Sequence, residues 1–247
     1  MKAAREAARA WRRGALAHVF DVAMPDRPTR PDAPLLLPPN RMPKRGRAGS
    51  ERSRIALLHA LAHIEFGAID LAFDMAGRFG AAFPRSFVDD WLSVGADEAI
   101  HFALLDRRLR ALGAPYGALP AHDGLWEAAM ETAHDAAARL AVVPMVLEAR
   151  GLDVTPATLA SFRSARDVRS AAILERIYRD EIRHVGIGTR WFKAVCESRE
   201  LAPVPEWQRL IRRHFRGIVK PPFNDSARGE AGLSRDFYAG VAPAEPA

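Results

Sequence analysis

Apolar residues recur every three or four positions along most of the chain. This is the period of an α-helix with one buried face, whereas strand-like alternation is rare. The pattern therefore predicts an all-α fold. Because four of the predicted helices are long and joined by short connections, we expect them to form an antiparallel four-helix bundle. The bundle is predicted over residues 53–200, with its long helices at 53–79, 86–112, 123–150 and 167–198.

The third long helix contains signals that interrupt a helix. Pro144 predicts a kink, and Gly151 predicts the end of the helix. Thr155 followed by Pro156 is typical of a helix start, because a threonine side chain can cap the first turn and proline suits the first helical position. We therefore predict a separate short helix that ends near Ala165.

Segments of different composition flank the bundle. Residues 1–52 are predicted to hold a helix over 2–20 and then a basic arm packed on the bundle, whose seven prolines exclude a regular helix. The run Leu35–Leu37 is expected to attach this arm to the core. Residues 201–247 are predicted to form a basic helix over 206–218 and an irregular tail.

Basic charge is concentrated in the flanks. Residues 1–54 carry 13 lysines and arginines against 5 acidic residues, whereas residues 55–202 carry 16 against 20. The net charge of +6 therefore comes from the ends of the chain. Such flanks either bind a polyanion, for which tRNA is one candidate, or form solvated arms packed on the domain. The absence of aromatic residues between the arginines favours the second interpretation.

Several protein classes are excluded or disfavoured by composition. The chain has one cysteine, Cys196, so an intrachain disulfide and a cysteine-built zinc or iron–sulfur site are excluded. The longest charge-free apolar run, Leu140–Leu147, is far shorter than the ~20 residues that span a bilayer. The first residues lack the apolar segment of a secretory signal. We expect a cytoplasmic protein without a membrane partner.

Two copies of the motif D-E-x-x-H carry the candidate chemistry. Residues three apart share one face of a helix, so the glutamate and histidine of each copy can bind the same metal ion. A third E-x-x-H, Glu131 with His134, has no counterpart in the other half of the chain, and we interpret it as a surface feature. The two copies are Asp97-Glu98-Ala99-Ile100-His101 and Asp180-Glu181-Ile182-Arg183-His184.

Spacing joins the two motifs into one larger pattern. A further glutamate in an apolar neighbourhood precedes each motif glutamate by 33 residues, and the two halves are offset by 83 residues at all three positions. A four-helix bundle that binds two metal ions needs this set, one glutamate from each of two helices and an E-x-x-H from each of the others. Carboxylate and imidazole ligands suit iron, our first choice, or manganese. The predicted ligands are Glu65, Glu98, His101, Glu148, Glu181 and His184.

Three neighbouring residues are candidates for supporting roles. Asp97 and Asp180 precede the motif glutamates and are predicted to accept the second ring N–H of the ligand histidines, the alternative being exposed acids. Tyr178 lies one turn before Glu181, where it could line a substrate cavity or carry an electron, or simply belong to the core.

Six long motifs resemble one family across roughly residues 10–235. The chain is similar to the bacterial ferritin-like family catalogued as domain-of-unknown-function family 455, within the ferritin-like di-metal carboxylate superfamily. The resemblance implies a ferritin-like bundle with a di-metal centre, and that superfamily includes oxygenases, tRNA hydroxylases, manganese catalases and iron stores. The motifs are HIEFGAIDLAFD, DDWLSVGADEAIHFALLDRRLRALG, YGALPAHDGLWEAA, RLAVVPMVLEARGLDVTP, IYRDEIRHVGIGTRWF and PPFNDSAR.

Three functions are compatible with these features of the sequence. The first is an oxidoreductase, an oxidase or oxygenase that uses O2 or peroxide on a small-molecule substrate and receives electrons from a donor protein. The second is a ferroxidase or iron-handling protein, although the long flanks do not suit the subunit of a storage cage. The third is an RNA-binding module, which a tRNA-modifying di-iron hydroxylase would combine with the first.

Overall fold

A computed structural model describes residues 2–42 and 48–243. Within these ranges the chain is helical and contains no strand, which confirms the predicted all-α class. Met1, residues 43–47 of the predicted arm and residues 244–247 of the predicted tail lie outside the described residues. The helices are α1 (Lys2–Arg12), α2 (Glu51–Phe79), α3 (Arg85–Ala111), α4 (Gly124–Glu131), α5 (Ala136–Val142), α6 (Ala149–Ser164), α7 (Val168–Ser198), α8 (Pro203–His214), α9 (Asp225–Glu230) and α10 (Arg235–Ala239).

The chain divides into two compact units. The first consists of Met1–Trp126 with Thr158–Leu174, and the second of Glu127–Ala157 with Glu175–Ala247. The domain boundaries at residues 52 and 200, and the bundle between them, stay predictions.

In the first unit, α2 and α3 pack along each other as a helical hairpin. Ser50 begins α2 because its side chain accepts a hydrogen bond from the backbone N–H of Ser53, which satisfies one of the unpaired donors of the first turn. α1 packs against α3 and buries Trp11. The predicted helix over 2–20 is too long, because the chain turns at Gly14, whose φ of 71° lies in the left-handed region.

The α2 segment is long and apolar. Residues 51–82 are long enough and apolar enough to cross a membrane by length and mean hydropathy alone. However, 56% of the most apolar window is buried inside the protein. A core helix that contacts other helices on several sides has the same composition, so length and hydropathy are weak evidence for a membrane span.

The proline-rich arm is attached to the first unit by its backbone. The backbone N–H of Leu37 donates to the carbonyl of Ala121 at 2.8 Å, and that of Ala121 donates to the carbonyl of Leu35 at 3.0 Å. The side chain of Leu35 itself is 65% exposed. The arm is therefore attached at the predicted place, but through backbone pairing and not through burial of three leucines.

In the second unit, α5 continues into a π-helical turn over Val143–Glu148 and then into α6. Pro144 lies in this wider turn. The turn tolerates the absence of one backbone hydrogen bond, because proline has no N–H to donate. The predicted stop at Gly151 is wrong, as is the predicted new helix start before Pro156, because α6 passes through both residues. Complete burial of Leu152 favours the continuous helix over the local stop signals.

The C-terminal part of this unit is more ordered than predicted. α8 packs against α5, and the indole N–H of Trp207 donates to the carbonyl of Ala141 at 3.2 Å. The predicted irregular tail contains α9 and α10, and the Asn224 side chain caps α9 by accepting from the N–H of Ala227. A buried ion pair joins Arg228 of α9 to Asp153 of α6.

Candidate metal centre

Three of the predicted ligands lie together in the first unit. Glu65 projects from α2, while Glu98 and His101 project from one face of α3, and all three are buried. The Nδ1 atom of His101 lies 3.1 Å from Oε2 of Glu65 and 3.3 Å from Oε2 of Glu98. The i,i+3 spacing aligns the two α3 residues, and the packing of α2 on α3 adds the third.

The candidate donor atoms lie close to one another. Ligand atoms of Glu65, Glu98 and His101 all lie within 4.8 Å of one another. Around an octahedral ion with bonds of about 2.1 Å, neighbouring ligand atoms lie about 3.0 Å apart and opposite ones about 4.2 Å apart. The distances of 3.1 and 3.3 Å from His101 agree with this geometry, and the 4.8 Å limit is somewhat wider, so the cluster is a candidate site for one divalent ion.

The pKa values of Glu65 and His101 are both raised in this buried cluster. Desolvation and, to a lesser degree, the carboxylate of Glu98 raise the pKa of Glu65 well above its ordinary value, against the opposing hydrogen bond from His101. Burial would lower the pKa of His101, but its hydrogen bonds to the two carboxylates outweigh that effect and raise the pKa to about 11. Two buried carboxylates need a cation, and a divalent metal ion satisfies the same need as the imidazolium.

The other three predicted ligands belong to the second unit. Glu181 and His184 share a face of α7, where His184 Nδ1 lies 3.6 Å from Glu181 Oε1. His184 is fully buried and Glu181 is partly buried. Glu148 is the last residue of the π-helical turn and is half-buried. The burial of His184 and the position of Glu181 one turn before it match the arrangement of the α3 pair in the first unit.

The residues proposed for supporting roles are partly buried. Asp97 is half-buried beside Glu98 on α3, and Asp180 Oδ2 lies 3.5 Å from the Nε atom of Arg176. Tyr178 accepts a hydrogen bond at 2.8 Å from the side-chain amide of Asn224. The roles assigned to these side chains from the sequence stay predictions.

The third E-x-x-H has the surroundings of a surface feature. Glu131 accepts a hydrogen bond from Arg216 at 2.8 Å, and both side chains are exposed. His134 is exposed as well, with its ring 5.2 Å from that of His214. This motif therefore provides a natural control for experiments on the two paired motifs.

Sequence reasoning missed a buried histidine–tyrosine network in the first unit. The Nε2 atom of His63 lies 3.2 Å from the carbonyl of His122, and its Nδ1 atom lies 2.8 Å from the hydroxyl of Tyr116. Burial lowers the pKa of His63 to about 4, with a smaller contribution from the positive charge of Arg30. Residues two apart on a helix point in different directions, which separates His63 from Glu65, and no local signal identifies the partners of His63, which lie 53 and 59 residues away.

Comparison with known proteins places this architecture in a family. Residues 1–239 match the family described as "Protein of unknown function (DUF455)". The chain belongs to the DUF455 family. A relative from Haemophilus influenzae (strain ATCC 51907 / DSM 11121 / KW20 / Rd), described as "Uncharacterized protein", is 43% identical over 211 residues, which cover 83% of this chain and 73% of the relative. No solved structure matches the chain. The resemblance to family 455 is thus confirmed, while membership of the ferritin-like superfamily stays a prediction.

Proposed function

We propose that this DUF455 protein is a ferritin-like di-metal carboxylate protein, with iron as the first choice and manganese as the second. It acts as an oxidase or oxygenase that uses O2 or peroxide on a small organic substrate. The observation that supports this most strongly is the buried cluster of Glu65, Glu98 and His101, whose sequence spacing recurs 83 residues later.

The six predicted ligands would compensate the charge of two metal ions. Each unit supplies two carboxylates and one imidazole, so four negative charges balance two divalent cations in a low-dielectric environment. Bound metal ions supply the redox equivalents for activating O2 or peroxide. The protein side chains hold the ions, and burial of Glu98 and His101 excludes bulk water from them.

Metal analysis of the purified protein tests this proposal. Protein loaded with iron or manganese and desalted should contain about two ions per chain, because the donor set is that of a two-metal bundle. Glu65→Ala, His101→Ala and Glu148→Ala should each lower the metal content. For iron-loaded protein, absorption spectra recorded before and after exposure to O2 report whether the bound iron is oxidised.

The surface E-x-x-H supplies the matched control. Glu131→Ala combined with His134→Ala removes the same two residue types at the same spacing, and it should leave the metal content unchanged. A wild-type protein without metal, or ligand variants that retain full occupancy, would refute the proposal.

The alternative of a tRNA-binding arm receives less support from the first unit. Arg27 of the arm lies 2.7 Å from Asp123, and Arg30 lies 3.7 Å from both Asp70 and Asp123. These cations are paired within the unit, which favours the interpretation of the arm as a packed structural element. Salt-dependent binding of tRNA by the purified protein would reverse this preference.

A further inference from the structure

We infer that the exposed face of α7 in the second unit binds a compact phosphate-bearing ligand of the size of a nucleotide or sugar phosphate. A groove of about 760 Å³ lies between this face and the turn at residues 230–232, and we call it the α7 groove. Sites for small molecules typically have volumes of about 300–1,000 Å³, so the α7 groove is large enough for such a ligand.

Four exposed cations line one side of the α7 groove. They are Arg179, Arg183, Arg190 and Lys193. At 3.6 residues per turn, these positions fall within an arc of about 80° on the helix surface and span about 21 Å along its axis. Gly186 lies in the middle of the same arc, and the backbone of Ala231 lies 3.7 Å from the position that a Cβ would occupy there, so the turn approaches α7 closely between the two pairs of cations. Guanidinium and ammonium groups arranged in this way suit phosphate oxygens.

The opposite side of the α7 groove is held in place by a direct bond. The Lys193 ammonium donates to the carbonyl of Gly232 at 2.8 Å, which leaves two of its three N–H donors for a ligand. The half-buried side chains of Ile182 and Ala194 contribute apolar surface to the same groove. A ligand with both a phosphate and a less polar part therefore finds complementary surface for each.

Two acidic residues in the lining favour a compact ligand over a long polyanion. Glu197 lies one turn beyond Lys193 on the same face of α7, and Glu230 lies on the opposite side. A nucleic-acid strand that followed the cations along the helix would bring its phosphates towards these carboxylates. A sugar, in contrast, has hydroxyl groups that can donate hydrogen bonds to these carboxylates.

Calorimetric titration of the full-length protein with ADP and with glucose 6-phosphate, in buffer with Mg²⁺, tests the inference. Adenosine, which lacks phosphate, should bind much more weakly than ADP. The variant Arg179→Ala/Arg190→Ala should weaken binding of the phosphorylated probes by roughly tenfold or more, because two charge-assisted contacts are lost. We leave Arg183 unchanged because its Nη2 atom lies 3.3 Å from Nε2 of His184, a proposed metal ligand.

The matched control removes two exposed arginines from α8, Arg212→Ala/Arg213→Ala, and so changes the net charge by the same amount. It should alter binding by less than about twofold, as expected for long-range effects at physiological salt. Failure of both phosphorylated probes to bind, or equal losses in both double variants, would overturn the inference. Tighter binding of a short single-stranded RNA than of ADP would replace the compact ligand with a nucleic acid. Metal content should be the same in all these proteins, which separates this test from that of the proposed function.

Discussion

The ion pair between Arg228 and Asp153 should be a large single contributor to the stability of the second unit. Arg228 donates to Asp153 through Nε at 2.8 Å and through Nη2 at 2.7 Å, and the side chains are only 3% and 0% exposed. The guanidinium also lies over the ring of Tyr238, 4.6 Å from its centroid. Replacing Arg228 with alanine removes all these contacts and leaves a buried carboxylate.

The magnitude follows from what remains around that carboxylate. Breaking a buried pair by removing one partner costs about 3–5 kcal/mol. Asp153 keeps the hydrogen bond from the backbone N–H of Asn224 at 2.9 Å and a long contact with Arg150 at 3.5 Å. We therefore expect Arg228→Ala to cost about 3 kcal/mol, near the lower end of that range, which corresponds to a fall in Tm of about 6–12 °C for a chain of this length.

Urea denaturation of the wild-type protein and three variants tests this reasoning. Arg235→Ala is the control, because Arg235 pairs with Asp225 at 3.1 Å while both side chains are exposed, and it should cost less than about 1 kcal/mol. Combining Arg228→Met with Asp153→Leu should recover most of the loss, because no buried charge is then left alone. If Arg228→Ala costs no more than Arg235→Ala, the electrostatic explanation is refuted.

Two further predictions concern backbone packing and pH. Gly188→Ala should destabilise the protein by about 1–3 kcal/mol, because its new methyl group would clash with the ring of Pro144. Gly151→Ala has open space around the new methyl group and should stabilise the helix by about 0.5–1 kcal/mol. Thermal melts of the two variants measure this difference, and equal effects would contradict the close packing of Gly188 on Pro144. The pKa of His63 is lowered to about 4 in the folded protein, below its ordinary value of 6.5, so the unfolded chain binds a proton more readily than the folded one. The free energy of unfolding should therefore fall as the pH drops from 6.5 to about 4. Urea melts at successive pH values should show a contribution of up to about 1.4 kcal/mol per pH unit that His63→Gln removes, and identical pH profiles would refute it.

Three of the four long helices, and the shared face of Glu98 and His101, could be predicted from the sequence because their signals are local and periodic. The third predicted long helix, over 123–150, is wrong, because that segment is divided into α4, α5, the π-helical turn and the start of α6. The starts of α2, α3 and α7 lie within two residues of the predicted positions. The i,i+3 spacing of Glu98 and His101 determines their shared face of α3. The pairing of α2 with α3 through a short turn then brings Glu65 to the same place.

The remaining features depend on distant parts of the chain. The stop signals at Gly151 and Pro156 are real local preferences, and tertiary packing overrides them. The arm is attached through backbone hydrogen bonds of Leu35 and Leu37, which any residue type could form. The pattern of side chains therefore does not reveal this attachment. The ion pair of Arg228 could not be predicted either, because its partner Asp153 lies 75 residues earlier in the chain.

The π-helical turn over Val143–Glu148 sets the angular relation between the two helices that it joins. Such a turn accommodates one residue more than a regular α-helical turn, which corresponds to a rotation of about 100°. Deleting a single residue here would restore an uninterrupted helix but would turn α5 about its axis, so that the carbonyl of Ala141 no longer faced the indole of Trp207. Length variation within this short stretch is therefore far less tolerable than the same change in an exposed loop.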